Sequence, residues 1–228
     1  MSRARTVWRS PSWRLGFAAT DEPVAGDLLL PEERALVATA SPQRTAELTA
    51  GRHCARLALT ALDPSLPRMP LLADARGAPL WPAGFVGSIT HSPGWTGAVA
   101  ARSTRPVLGR GIRGIGLDAE PLEPLPPGVL DVIASRSERE ALAALAAARP
   151  GIPWDRLLFS AKEATYKAWY PLTGVVVGHD AVRVELSASG SFTGVASADD
   201  ASGRAVRIAV RGRWVLGPRV LVALGVAA

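Results

Sequence analysis

The chain has 228 residues, 48% of them hydrophobic and 20% charged. That suits one larger domain or two packed subdomains and excludes a disordered chain. A single cysteine, Cys54, excludes an internal disulfide framework, and His53, His91 and His179 show no zinc-ligand spacing. The net charge of +6 favours an anionic partner. No apolar run approaches the ~20 residues that span a bilayer. The N-terminus has arginines but no apolar h-region, so a cytoplasmic protein without a membrane segment is expected.

Residues 1–31 read as irregular, punctuated by Pro11, Pro23 and Pro31. Residues 32–48 read as a helix opened by Glu32 and Glu33 and interrupted at Pro42. A second helix follows over 45–62, with Leu48, Cys54, Ala55, Leu57, Ala58 and Leu62 as its apolar stripe. Beyond a proline-rich connector, residues 84–101 read as two strands around the turn His91-Ser92-Pro93-Gly94. A Gly/Arg loop occupies 105–114. The second half opens with a short strand, Ile115–Ala119, and continues with helices near 128–148 and 154–169. From about 181 to the end, Val182-Val184-Leu186, Val206-Ile208-Val210, Trp214–Leu216 and Val220–Val226 read as antiparallel strands. Each half combines helices with a few strands, an α+β pattern divided into residues 1–113 and 114–228.

Four windows carry chemistry. Asp118 and Glu120 sit two apart on a strand that Pro121 ends, so both carboxylates face one way. Adjacent anions repel unless a cation lies between them, and the options are a hard divalent metal, an arginine or solvent. In the second window Phe159, Glu163 and Lys167 stack at helical spacing. This is either an ordinary Glu–Lys pair or a third carboxylate that completes an oxygen-ligand set of the kind Mg²⁺ takes. Of 26 basic residues, 24 are arginine, and the two lysines, Lys162 and Lys167, both lie here. Lysine is a compact charge with a tunable pKa, which arginine does not replace. The third window places Thr90 and His91 where a strand turns, with neither a nucleophile elbow nor a Walker A stretch. In the fourth, Arg44, Arg52 and Arg56 share a helix face and suit phosphate gripping through forked hydrogen bonds. Arg76 could add a basic group from a loop.

Taken in order, GRHCAR at 51–56, GSITHS at 87–92, GLDAE at 116–120 and FSAKEATYKAW at 159–169 resemble the Sfp-type 4′-phosphopantetheinyl transferases. PLWPAGFVGSITH and WDRLLFSAKEATYKAWYPLTG resemble the EntD/PptT-like branch of that family in particular. The resemblance implies a pseudo-dimer of two similar α/β subdomains with CoA bound between the halves. It places the metal ligands (Mg²⁺ or Mn²⁺) on Asp118, Glu120 and Glu163. The pyrophosphate-contacting histidine falls on His91 beside Thr90, the phosphate-neutralising lysine on Lys167, and the 3′-phosphate grip on Arg44 and Arg52. Arg56 matches the motif as well, either as a CoA contact or as a brace. The sequence departs from the pattern at Ala73, where a basic residue is common, leaving that role to Arg76, and at Val176, where some relatives carry an aromatic.

The implied reaction moves the phosphopantetheine arm of CoA onto a serine of an apo acyl or peptidyl carrier protein and releases 3′,5′-ADP. Glu163 is the candidate base and the enzyme a monomer. The carriers would serve fatty-acid, polyketide or nonribosomal-peptide synthases. Two rival readings stand beside it. A nucleic-acid-binding protein is motivated by the charge but lacks a basic stripe interleaved with aromatics in the sequence. A divalent-metal phosphohydrolase would need a second metal set. Pro121–Ile133, with Leu122, Leu125, Val129 and Leu130, reads either as a carrier-docking surface flanked by Arg136 and Arg139 or as a cap on the core.

Overall fold

The computed structural model describes residues 8–9, 15–24, 28–103 and 111–228. The Gly/Arg loop expected at 105–114 therefore lies largely outside the described residues. The chain divides into two compact units, residues 1–107 and 108–228.

In the N-terminal unit, β1 (Trp8–Arg9), β2 (Leu15–Thr20), β3 (Phe85–Ser92) and β4 (Trp95–Arg102) form an antiparallel sheet in the order β1-β2-β4-β3. The strand β2 lies within the stretch expected to be irregular. Its L-G-F-A-A-T sequence lacks a strict alternation because it is buried on both faces, which hides the two-residue period. The β3–β4 hairpin closes through Pro93-Gly94 with Ser92 opposite Trp95, and Gly94 takes the positive φ (+70°) of the turn. A short helix α1 (Pro31–Arg34) precedes α2 (Pro42–Leu62). Pro42 begins α2 rather than interrupting a helix: it stands in the first turn, where a missing N–H costs nothing, and the Ser41 side chain accepts from the Arg44 N–H. Cys54, Ala55 and Ala58 are fully buried within this unit's core. Burial pushes the Cys54 thiol up to about 12.

The C-terminal unit is a five-stranded antiparallel sheet in the order β5-β9-β8-β7-β6. Its strands are β5 (Gly114–Pro121), β6 (Val182–Leu186), β7 (Ser191–Asp199), β8 (Ala205–Leu216) and β9 (Val220–Ala227). The runs at 206–210 and 214–216 are one strand, β8, continuous across Gly212. β7 carries Ser, Thr and Gly among its apolar positions and so leaves a weak pattern. Three helices follow β5: α3 (Val129–Ile133), α4 (Arg136–Ala148) and α5 (Trp154–Thr173), with α5 stopped by Gly174 at φ +67°. Leu157, Ala161, Ala164, Ala168 and Trp169 are wholly buried on α5, and Trp154 meets Trp214 edge-on at 5.5 Å.

Close approach of helix to sheet rests on glycines in each unit, tightest at one strand glycine in each. A Cβ on Gly16 of β2 would stand 2.0 Å from the Ala58 carbonyl oxygen of α2. A Cβ on Gly116 of β5 would stand 1.8 Å from the Ala164 carbonyl oxygen of α5. Gly116 and Asp118 share a face of β5, so the same contact brings Asp118 beside α5.

Candidate active site

Asp118 is nearly buried and receives Lys167, whose ammonium lies 2.7 Å from Oδ1 and donates also to the Leu117 carbonyl at 3.2 Å. Lys167 therefore clamps the strand at the point where the carboxylate emerges. Two residues on, Glu120 meets Arg156 from the first turn of α5 at 3.0 Å. Arg156 spends its other N–H groups on the carbonyls of Glu123 and Pro124, which pins the chain after β5. Glu163 projects from α5, with His179 Nε2 3.8 Å from its Oε1. Burial, reinforced by Asp118 and Glu120 and opposed by Lys167, raises the Glu163 carboxyl above the ordinary range. Glu120 is raised as well, first by burial and then by Asp118, against the pull of Arg156 and Lys167.

The three carboxylates thus sense one another's charge, but they do not close on a single point. Among the described residues, no group of three His, Cys, Asp or Glu side chains is arranged to hold a metal ion. Instead of a shared point the acids show separate pairings: Asp118 with the Lys167 ammonium and Glu120 with the Arg156 guanidinium, cations that relieve their charge, while Glu163 lies toward His179, whose burial lowers its pKa. The other lysine of the motif, Lys162, points the opposite way. It is 1% exposed, bonds Glu138 at 3.1 Å and donates to the carbonyls of His179 and Val182.

In the N-terminal unit, Arg44 Nη1 lies 3.5 Å from His91 Nε2, and Glu47 Oε2 lies 3.5 Å from Arg44 and 3.6 Å from His91. Arg44 and His91 keep half-open side chains, and Thr90 beside them is buried. Arg52 departs from the expected open grip. It is buried, with Nε donating to the Leu71 carbonyl at 2.6 Å and Nη2 to that of Leu72 at 3.4 Å, so part of its fork braces the loop after α2. Burial lowers its pKa. Arg56 is a brace, bound to the buried Glu33 at 2.7 Å and to the Leu28 carbonyl at 2.7 Å. Arg76 stands exposed in a turn that Asp74 organises by accepting its N–H.

Residues 32–101 match the 4′-phosphopantetheinyl transferase N-terminal domain, and residues 114–217 match the 4′-phosphopantetheinyl transferase superfamily. The chain is 46% identical to 4′-phosphopantetheinyl transferase Svp of Streptomyces mobaraensis, over 96% of this chain and 87% of that protein. The chain belongs to the 4′-phosphopantetheinyl transferase superfamily. Its identity is 42% to the transferase PptT of Mycobacterium tuberculosis, over 75% of this chain and 70% of that one. It is 44% to Npt of Nocardia iowensis, over 68% and 64%.

For a phosphopantetheinyl transferase, the carboxylate trio offers oxygen donors only, held half-buried against their own repulsion, which is the donor chemistry a hard divalent cation takes. Sequence reasoning did not single out Glu47, Arg156 or His179 as site residues. Arg156 and Glu47 lie on the helical repeat of predicted residues, Arg156 two turns before Glu163 and Glu47 one turn after Arg44, so helical spacing could have found them. His179 reaches Glu163 only through tertiary folding. Of the segment 121–133, Leu125, Val129 and Leu130 pack on the core while Leu122 stays half-open, so it acts chiefly as a cap. Its most open apolar side chain is Val132, 80% exposed. Arg136 pairs with Glu140, and Arg139 donates to the Ala134 carbonyl.

Proposed function

We propose that the protein transfers the 4′-phosphopantetheine group of CoA to a serine of an apo acyl or peptidyl carrier protein and releases 3′,5′-ADP. The observation that carries this reading is the pairing of a raised carboxyl, Glu163, with a clamped ammonium, Lys167, one turn apart on α5 and facing Asp118. In the N-terminal unit, the open side chains of Arg44 and His91 are the hydrogen-bond donors for CoA phosphate oxygens, with Thr90 alongside. Arg52 contributes the part of its fork not tied to Leu71 and Leu72, and Arg76 lends charge from its turn.

In the C-terminal unit, Asp118, Glu120 and Glu163 would hold Mg²⁺ or Mn²⁺ by drawing together from their separate pairings, and the ion would neutralise charge on the pyrophosphate. The serine oxygen attacks the β-phosphorus of CoA, and its proton passes to the Glu163 carboxylate. A carboxyl raised by burial is a better acceptor than an ordinary one. As the bridging P–O bond breaks, Lys167 stabilises the charge that gathers on the phosphate oxygens of the departing 3′,5′-ADP. One chain carries both sets of residues, which supports a monomeric enzyme. We place its action in the cytoplasm; among the described residues, no helix is long and apolar enough to cross a membrane.

Incubation with CoA, Mg²⁺ and an apo carrier, followed by intact mass, should show the carrier gaining one phosphopantetheine unit. An unchanged carrier mass across a panel of apo acyl and peptidyl carriers would refute the reading.

A further inference from the structure

The side of the five-stranded sheet turned away from α5 has a composition unlike the rest of the surface. Val210 and Trp214 of β8 are buried against the core, so the alternate positions Arg207, Ala209, Arg211, Arg213 and Val215 point outward, and all are exposed. The register sets Arg183 of β6 across Val195 of β7 from Ala209, adding a fourth exposed arginine to this face. Two acids accompany them, Glu185 and, at the end of β7, Asp199.

Among the described residues, none of the four arginines stands within 4.0 Å of a carboxylate. By contrast Arg56, Arg102, Arg136 and Arg156 are each ion-paired. Like charges along one strand repel, so an unneutralised row is a feature that an anionic partner relieves. A depression of about 390 Å³ lies on this face, lined by Arg183, Glu185, Thr193, Val195, Ser197 and Arg207.

We propose that this arginine face docks an acidic helix of a protein partner. Six residues of strand separate Arg207 from Arg213, about 20 Å at ~3.4 Å per residue, and a helix of about 13 residues has that length. Small and apolar positions interleave with the charges (Thr193, Val195, Ser197, Ala209, Val215), as on a surface that packs against side chains. Among the described residues, no aromatic ring lies on this face to stack a base, and the two acids oppose a continuous row of phosphates. The face is on the side of the sheet away from Glu163 and Lys167, so this docking is independent of the proposed transfer reaction.

The test measures fluorescence anisotropy of a labelled glutamate-rich helical peptide, with an oligothymidylate and phosphatidylserine vesicles as rival probes. The proteins are the unmodified chain, the variant R183Q/R207Q/R211Q/R213Q, its all-lysine counterpart, and a control R34Q/R113Q/R204Q/R219Q that loses the same charge elsewhere. The expected result is an affinity for the peptide that falls about tenfold or more in the first variant, with a shallower salt dependence. The lysine variant and the control should stay close to the unmodified protein. Equal losses in the variant and the control would reduce the effect to net charge and overturn the proposal. Preference for the oligonucleotide or the vesicles, lost in the same variant, would overturn the acidic helix as occupant. Carrier modification by the first variant should proceed at the unmodified rate on an isolated carrier, so failure of docking and failure of the transferase reading are separate results.

Discussion

The two units solve one structural problem in the same way and then diverge. In each, a glutamate near the start of a shorter helix is buried and accepts three groups. Glu33 takes Arg56 of α2 and the N–H groups of Leu71 and Leu30. Glu138 takes Lys162 of α5 and the N–H groups of Val184 and Ser135. Each strut ties the long helix to its neighbour and to the segment that follows, and each long helix rests on a strand glycine. The divergence lies in what else the long helix carries. α2 offers one open guanidinium, Arg44, near its N-terminal end. α5 places Glu163 and Lys167 directly beside its strut residue Lys162 and against β5. A repeated brace therefore supports the open guanidinium of Arg44 in one unit and the Glu163–Lys167 pair in the other.

The comparison breaks most visibly at Glu163. Glu163→Gln should lower kcat by about 10²–10⁴-fold, the range for loss of a general base. Because the folded-state pKa of this carboxyl is raised, its ionisation disfavours the fold as pH rises above the unfolded value. The same variant should therefore melt at a higher temperature than the parent at neutral pH and at the same temperature below about pH 4. Lost turnover with a lower melting temperature would make Glu163 a structural residue.

Next come the struts. Lys162→Met leaves the buried Glu138 charge without its cation, and Arg56→Met does the same to Glu33. Each should cost about 3–5 kcal/mol in denaturant unfolding. A large loss for one and none for the other would show that the two braces are not equivalent. Gly16→Ala and Gly116→Ala should each cost about 1–3 kcal/mol by forcing helix from sheet. Gly116→Ala alone should also reduce turnover, since it displaces β5 beneath Asp118.

Smaller effects separate the arginines and the acid limb. Arg44→Gln should raise the KM for CoA with kcat and melting temperature kept. Arg52→Gln should lose about 1–3 kcal/mol of stability through the freed Leu71 carbonyl. Burial opposes the Glu138 charge, but the Ser135 and Val184 N–H groups and Lys162 outweigh it, so this carboxyl is lowered. Its contribution is full above the unfolded value of about 4.3 and disappears as pH falls through the folded one. Glu138→Gln should flatten that acid limb of a stability–pH profile.

Much of this was legible in the residues. The hairpin announced itself through Pro93-Gly94, the D-x-E strand end through Pro121, and α5 through its spacing of Phe159, Glu163 and Lys167. What stayed hidden has definite physical causes. β2 is buried on both faces, so it shows no alternation, and β7 is diluted by small polar residues. Pro42 reads the same whether it breaks a helix or begins one, and only the Ser41 cap decides. Side-chain direction was the other blind spot. The motif lists Lys162 and Lys167 as equals, yet five residues on a helix turn them to opposite duties, one to a buried strut and one to Asp118. Arg52 likewise reads as an open grip, and Arg56 as either a CoA contact or a brace, because sequence does not show which carbonyls or acids a guanidinium will meet.

The buried thiol of Cys54 has a practical consequence. With its pKa pushed up to about 12, only about one molecule in 10⁵ carries the thiolate at neutral pH. Maleimides and iodoacetamides should pass the folded protein by. Val132, 80% exposed on α3, could then be replaced by cysteine to give a chain with one reactive handle. A dye there would report whether an apo carrier approaches α3, without the native cysteine being removed first.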